Sequence, residues 1–174
     1  PWDMLAAVPP AGAPPVPPSM HPRMAPHWMN WLVGMPMETC LAICNVVFGG
    51  VLERLPNLRI GFAHGGGAFP GTLGRIEHGF HARPDLCQTD TRSAPESHLQ
   101  STAGPAKIYV DSLCHEPYAL ANLVRLFGAD RIMLGSDYPF PLGEACPGRM
   151  IETAMPDLSP REKTLILGLT AAGF

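Results

Sequence analysis

Three residues that could do chemistry each stand at the end of a short apolar segment. They are His64 after residues 58–63, Asp111 at the end of residues 107–111, and Asp137 after residues 131–135. A histidine changes its protonation state near neutral pH, and a carboxylate can hold a divalent cation, so this pair of residue types suits metal-assisted activation of water. Plainer interpretations stay open, because a strand-end histidine often makes only structural hydrogen bonds and an aspartate before Tyr-Pro often forms a turn or helix cap.

The three glycines that follow His64 strengthen the case for a binding site there. Glycine alone adopts the required backbone torsions freely and leaves room for a ligand next to the main chain. Gly65–Gly67 could also form a phosphate-binding turn, but neither the Lys-Ser/Thr pair of a P-loop nor a spaced G-x-G-x-x-G motif accompanies them.

The elements that must position these residues alternate between helices and short buried strands. The pattern predicts helices over residues 36–54, 68–80 and 117–127 and from Ser159 onwards, with strands over residues 58–63, 107–111 and 131–135. Such alternation is typical of an α/β fold with a parallel sheet. The carboxyl ends of parallel strands meet at one edge, where ligands bind, and this would bring His64, Asp111 and Asp137 together.

The chain is too short to close a barrel by itself. It has 174 residues, whereas a (β/α)8 barrel takes about 200 or more. We therefore expect one partial barrel domain over residues 1–174, the C-terminal portion of a TIM barrel with about three parallel strands. Residues 9–18 contain six prolines, and a Pro-rich insertion is expected at about residues 5–26. The free edges of such a sheet could drive homodimer pairing.

Composition excludes several classes of function. Twelve basic residues against 15 acidic ones give a net charge of -3, which argues against nucleic acid or an anionic membrane as partner. The longest apolar stretch, residues 41–52, is too short to cross a bilayer. Five cysteines with no C-x-x-C pair are typical of reduced thiols, and we expect a cytoplasmic protein.

Several segments together resemble a known family. Residues 62–86, 108–117 and 131–144, with the shorter segments 1–4 and 31–44, are similar to the 2-amino-3-carboxymuconate-6-semialdehyde decarboxylases, in the decarboxylase branch of the amidohydrolase superfamily. The resemblance implies a (β/α)8 barrel, one divalent metal, usually zinc, and a homodimer. It also implies non-oxidative decarboxylation of a small carboxylate substrate to 2-aminomuconate 6-semialdehyde in the kynurenine route of tryptophan catabolism.

The resemblance also implies roles for individual residues. Asp137 corresponds to a metal-ligating aspartate, and His64 to the general base that acts on the metal-bound water. Arg75 corresponds to an arginine that binds a substrate carboxylate across the homodimer interface. Trp28 and Phe140 would lie near the mouth of the substrate site.

Other features depart from the family. Its first strand carries a His-x-His pair of metal ligands, and the seven histidines of this chain are never two residues apart. A third ligand histidine, expected just before Pro1, is also outside the sequence. We therefore expect this chain alone to hold zinc poorly and to be inactive, with His21 and His27 as conceivable substitute ligands. The alternatives are a related amidohydrolase-type decarboxylase or hydrolase, and a non-catalytic truncated fragment.

Overall fold

The computed structural model of the chain describes residues 24, 26–99 and 108–174. The predicted Pro-rich insertion lies almost wholly outside these residues, as does Lys107. The strands are β1 (Ile60–Phe62), β2 (Ile108–Asp111) and β3 (Ile132–Met133). The α-helices are α1 (Met35–Phe48), α2 (Val51–Arg54), α3 (Phe69–Ala82), α4 (Pro84–Cys87), α5 (Pro117–Phe127), α6 (Arg149–Thr153), α7 (Pro160–Thr164) and α8 (Thr170–Gly173).

Shorter helical turns connect these elements. Four are 3-10 turns, at Pro26–Trp28, His64–Gly66, Pro95–His98 and Ala129–Arg131. Two are π-helical, at Asn30–Gly34 and Leu165–Leu169, and they run directly into α1 and α8.

The three strands form one parallel sheet in the order β1-β2-β3. Phe62 pairs with Val110, and Val110 pairs with Ile132. Helices connect the strands, as parallel pairing requires. The predicted α/β class, with about three parallel strands and flanking helices, is confirmed.

The core lies between this sheet and the helices that connect its strands. Fully buried side chains from β2, β3, α3 and α5 meet there: Ile108, Val110, Ile132, Phe69, Leu120 and Phe127. Alternate residues point to the opposite face of a strand, so Tyr109 lies on the other side of the sheet. Phe174 packs edge-on against the Tyr109 ring there, with 4.9 Å between the ring centroids.

The first predicted helix, over residues 36–54, ends where expected but is interrupted inside, so that it forms two helices. It breaks at Gly49–Gly50 because Gly50 takes φ 65°, a left-handed conformation that interrupts the helix, and α2 begins anew at Val51. The third strand is also shorter than expected, and α6 occupies a stretch that the sequence pattern left as loop. The helix predicted from Ser159 is confirmed, with the Ser159 hydroxyl accepting a hydrogen bond from the Glu162 N–H in a capping box.

From the sequence, the longest apolar stretch is too short to cross a bilayer. The structure contradicts this expectation as far as the length and composition of one helix are concerned. Because Asn30–Gly34 continues into α1, Asn30–Phe48 forms one helix of 19 residues. Its most apolar window of 18 residues has a mean hydropathy of 1.5, and 17% of that window is buried. Among the described residues it is the one helix long and apolar enough to span a membrane. Core helices of globular domains pass the same test, so this finding assigns no location.

Candidate active site

The carboxyl edge of the sheet brings His64 and Asp137 together, as the parallel arrangement predicts. His64 follows β1 and Asp137 follows β3, and His64 Nε2 lies 3.6 Å from Asp137 Oδ1. Both side chains are mostly buried, with 22% and 16% of their surface exposed. This distance is longer than a hydrogen bond, but it is short enough for an electrostatic interaction between the two side chains.

Both members of this pair have a left-handed backbone. His64 has φ 57° and Asp137 has φ 54°. Residues other than glycine rarely adopt this region, and such conformations persist only where the surroundings hold them. The glycines after His64 share the positive φ, with Gly65 at 58° and Gly67 at 61°. The two strand ends therefore turn sharply, which points both side chains into the same space.

Asp111 ends β2, the strand between these two, and its carboxylate binds the turn that follows β1. Its Oδ1 accepts from the Gly65 N–H at 2.9 Å and from the Leu113 N–H at 3.0 Å. Burial raises the pKa of Asp111, and the N–H groups of Gly65 and Leu113 oppose that rise. Sequence reasoning placed Asp111 at this edge without a catalytic role, and the structure shows it as a backbone anchor.

The described residues do not by themselves complete a metal site. No group of three or more His, Cys, Asp or Glu side chains among them is placed to hold an ion. Zinc takes four ligands in most protein sites, and His64 and Asp137 together offer two. His64 Nδ1 is buried and makes no hydrogen bond within the described part of the chain.

The loop after β3 carries Asp137 and Phe140 in one compact turn. The Phe140 N–H donates to the Asp137 carbonyl at 2.8 Å, and the Glu144 N–H donates to the Ser136 carbonyl at 2.9 Å, which closes the loop on itself. Phe140 is therefore held close to the His64–Asp137 pair.

An aromatic cluster extends from this loop. The ring of Trp31 lies 5.9 Å from that of Phe140 and 5.5 Å from that of Trp28, measured between centroids. Trp28 and Phe140 are each 38% exposed, so the cluster presents a partly open apolar wall. The structure thus brings both predicted mouth residues together, with Trp31 between them. Helical spacing does not account for the contact between Trp28 and Trp31, because Trp28 has a left-handed backbone with φ 58°.

The predicted substrate-binding arginine lies on the helix that follows the glycines after His64. Arg75 lies on α3 with an exposed side chain. Its expected role across a homodimer interface stays a prediction. Arg83, after the same helix, donates two hydrogen bonds to the Asp85 carboxylate at 2.8 and 2.6 Å, which raises the pKa of the Arg83 guanidinium.

Cys114 is the nucleophile-type side chain that lies next to Asp111 and the Gly65 turn. A Cβ at Gly65 would lie 3.7 Å from the Cys114 Cβ. Burial raises the pKa of Cys114 to about 11, and the nearby carboxylates act in the same direction. The thiol therefore stays protonated near neutral pH and is a poor nucleophile. The five cysteines are all free.

Comparisons with known proteins identify the family to which this sequence is similar. The sequence profile of the amidohydrolase family matches residues 4–174. A 2-amino-3-carboxymuconate-6-semialdehyde decarboxylase from Dictyostelium discoideum is 53% identical over 152 residues, which are 87% of this chain and 40% of that protein. The corresponding decarboxylase from Caenorhabditis elegans is 47% identical over 134 residues, which are 77% of this chain and 32% of that protein.

A solved structure shows the same fold. The 5-carboxyvanillate decarboxylase of Novosphingobium aromaticivorans, with bound manganese and 3-methoxy-4-hydroxy-5-nitrobenzoic acid, superposes with a TM-score of 0.73 at 21% identity. The match covers 88% of this chain and 43% of that one. The chain therefore spans less than half the length of each of these three proteins.

Proposed function

Since this chain belongs to the amidohydrolase family, we propose that its protein is a metal-dependent decarboxylase acting on 2-amino-3-carboxymuconate 6-semialdehyde. The observation that carries the proposal is the approach of His64 Nε2 to Asp137 Oδ1, 3.6 Å apart at the carboxyl edge of a parallel sheet. The identity of 53% to the D. discoideum decarboxylase supports this choice of substrate over other amidohydrolase substrates.

The reaction breaks the bond between a carbon and its carboxylate, releases CO2, and places a proton on that carbon to give 2-aminomuconate 6-semialdehyde. No oxidant is consumed. We assign proton transfer to His64, because imidazole is the side chain suited to proton exchange near neutral pH and His64 lies at the carboxyl edge of the sheet beside Asp137. Asp137, mostly buried beside it, stabilises the protonated imidazole.

Aspartate 137 is also the proposed protein ligand that this chain gives to a divalent ion. The ligands that complete the ion's coordination must then come from outside the described residues. We propose zinc, as the sequence resemblance implies, although the neighbouring 5-carboxyvanillate decarboxylase holds manganese. Measuring which ion is retained after dialysis against both decides between them.

The substrate's carboxylates need cationic partners, and we propose Arg75 as one of them. Its guanidinium can form a bidentate pair with a carboxylate. Because Arg75 is exposed on α3, we place this contact across a homodimer interface. Trp28 and Phe140 would border the same substrate. We further propose a cytoplasmic location and a place in tryptophan breakdown.

A second candidate is that the 174 residues alone are non-catalytic. It is favoured by the finding that no three ligand side chains among the described residues are placed to hold an ion. Under this candidate, activity requires the further length present in the relatives.

The test compares two histidine variants in the full gene product that contains this chain. His64→Asn is expected to lower the rate of substrate absorbance loss by about 100-fold or more, because general acid–base catalysis contributes that much. The matched control is His81→Asn, which changes an exposed histidine that contacts Glu77 on α3 and is expected to retain full activity.

Each result bears on one candidate. Equal activity in His64→Asn and the wild type would reject His64 as the proton-transfer group. Activity in the full gene product together with inactivity of the isolated 174 residues would support the second candidate for the chain alone. Inactivity of both proteins, with the divalent ion bound, would reject the decarboxylase proposal.

A further inference from the structure

We propose that Asp111 is the positioning residue for His64: its carboxylate holds the left-handed turn at His64–Gly65 and so sets the direction in which the imidazole points. The kinetic part of this inference rests on the function proposed above, while its structural part does not. Asp111 touches no substrate under this proposal and acts through the backbone of its neighbours.

The Asp111 side chain connects the ends of two neighbouring strands. The Gly65 N–H donates to Asp111 Oδ1 at 2.9 Å, and this bond links the end of β1 to the end of β2, 46 residues further along the chain. The same oxygen accepts from the Leu113 N–H at 3.0 Å, which fixes the carboxylate to its own strand end. The acceptor is therefore itself anchored on both sides.

The left-handed turn at His64–Gly65 needs contacts that hold it in place. His64 and Gly65 have φ values of 57° and 58°, so two consecutive residues occupy the left-handed region. For His64 this conformation is unfavourable by about 1 kcal/mol or more and persists only where surrounding contacts hold it. Gly65 is buried, and a Cβ there would lie 2.8 Å from Leu123 Cδ1, so the turn is packed tightly from the other side.

The segment that leads from β3 to Asp137 also packs against Asp111. Gly135 lies against the Asp111 side chain so closely that a Cβ at Gly135 would be 2.8 Å from Asp111 Cγ and 2.9 Å from Oδ2. The Gly135 N–H donates to the Ser112 hydroxyl at 3.2 Å, which holds it there. Asp111 is thus clamped between the turn that carries His64 and the segment that carries Asp137, and it determines the spacing of the two.

The chemistry of the anchor favours a carboxylate oxygen. Hydrogen bonds from N–H groups to an ionised acceptor are shorter and stronger than those to a neutral one. An asparagine keeps one oxygen acceptor in the same place, whereas an alanine leaves the buried Gly65 N–H without a partner. These two substitutions therefore separate the loss of the bond from the loss of charge.

The experiment places Asp111→Ala and Asp111→Asn in the full gene product, with Thr170→Val as matched control. Thr170 is buried, and its hydroxyl donates to the Ala129 carbonyl at 3.1 Å at the amino end of the sheet. Its removal therefore breaks a comparable internal hydrogen bond far from His64. For each variant we would measure kcat, KM, the melting temperature and the amide signal of Gly65.

The Gly65 signal can be isolated by labelling histidine carbonyls with 13C and glycine nitrogens with 15N. The His-Gly pairs in this chain are His64–Gly65 and His78–Gly79, so Gly79 in α3 serves as internal reference. An amide proton bonded to a carboxylate resonates downfield. In Asp111→Ala the Gly65 signal should move upfield strongly, and in Asp111→Asn slightly, while the Gly79 signal stays in place.

We expect Asp111→Ala to lower kcat by about 100-fold with KM nearly unchanged, because a small displacement of a catalytic group costs that much. Asp111→Asn should retain most of kcat, and Thr170→Val all of it, at a reduced melting temperature. An unchanged Gly65 signal, or a kcat in Asp111→Ala equal to that in Thr170→Val, would overturn the proposal.

Two complications leave the inference testable. If Asp111→Ala does not fold, the wild-type Gly65 signal decides, since a signal that is not downfield shows that the Gly65 N–H is not bonded to the carboxylate. If the wild-type protein does not decarboxylate the substrate, the proposed function fails, while the Gly65 signal still decides the positioning role.

Discussion

Two carboxylates in this chain hold backbone by accepting several hydrogen bonds, and their surroundings shift their pKa values in opposite directions. Asp111 binds the turn after β1 at the candidate active site. Glu53, in α2, binds a remote loop: its Oε1 accepts from the Thr91 hydroxyl at 2.6 Å and from the N–H groups of Arg92 and Ser93 at 3.0 and 2.8 Å.

The difference between them is solvation. Burial raises the pKa of Asp111 despite its N–H donors. Glu53 is exposed, so its hydrogen bonds from Thr91 and Ser93 prevail and lower its pKa to about 2. Ionising the carboxylate thus takes little desolvation free energy at the surface and more at the buried strand ends. A buried carboxylate that is kept at the candidate site despite this desolvation is consistent with a role beyond stability.

Each of the two regions also contains a glycine that has no room for a side chain. Gly67, in the turn after β1, has φ 61°, and a Cβ there would overlap the Pro36 carbonyl oxygen. Gly50, before α2, has φ 65°, and a Cβ there would overlap the Asp90 carbonyl oxygen. Both positions therefore require a glycine, whereas only Gly67 lies in the turn that follows His64.

The largest effects are expected from Gly67→Ala and Gly50→Ala. Each combines an unfavourable φ with a backbone overlap, and each should lower the free energy of unfolding by at least about 2 kcal/mol. Only Gly67→Ala should also lower activity per folded molecule, because it displaces the turn that carries His64. Chemical denaturation and decarboxylation assays measure both quantities. A folded but inactive Gly50→Ala protein would show that the two regions are not separate.

Much of this fold could be predicted from the pattern of the sequence. The strands were found because apolar runs such as residues 107–111 are bounded by turn residues, and α5 was found at its observed bounds, Pro117–Phe127. The predicted end of the first helical segment at residue 54 is confirmed, and Gly49–Gly50 is a weak spot by residue type, but the pattern alone did not decide that the helix breaks there. The two-residue length of β3 depends on its pairing with β2.

The candidate site was predictable in part. His64 and Asp137 could be paired because parallel strands end at one edge, and their separation of 3.6 Å agrees with that reasoning. Asp111 could be placed at this edge from the sequence as a residue that orients a neighbour, whereas its partners could not be predicted, because they depend on which N–H groups the left-handed turn presents to it. The family resemblance supplied Arg75, and the contact proposed for it lies beyond the single chain.

The next largest effect is a difference in acid sensitivity between Glu53→Gln and Asp111→Asn. Glu53 has its pKa lowered from 4.5 to about 2, so its stabilisation is complete above about pH 4.5 and is lost as pH falls toward 2. Asp111 has its pKa raised above 3.8, so its contribution to stability increases as pH falls through that range. Glu53→Gln should therefore flatten the acid loss of stability, and Asp111→Asn should steepen it.

Urea unfolding at several pH values between about 2.5 and 6 would measure these slopes. The Glu53 difference should stay near 1 kcal/mol or below, because solvent screens an exposed carboxylate. Equal slopes in both variants would contradict the opposite pKa shifts on which the comparison of the two anchors depends.

The smallest effect is expected from Thr91→Val, which removes one of the three donors to Glu53. Thr91 is 1% exposed, and valine keeps its shape while losing the hydroxyl. The Arg92 and Ser93 N–H groups continue to hold the carboxylate, so the free energy of unfolding near neutral pH should fall by only about 0.5 kcal/mol. Because the Thr91 bond is the largest contribution to the lowered pKa of Glu53, its removal should bring that pKa closer to 4.5, and the loss of stability in acid should become smaller. Thermal unfolding at neutral and acid pH measures both changes, with decarboxylation as the control that should not move. A loss of stability at neutral pH as large as that in Glu53→Gln would mean that the hydroxyl, rather than the backbone N–H groups, holds the loop.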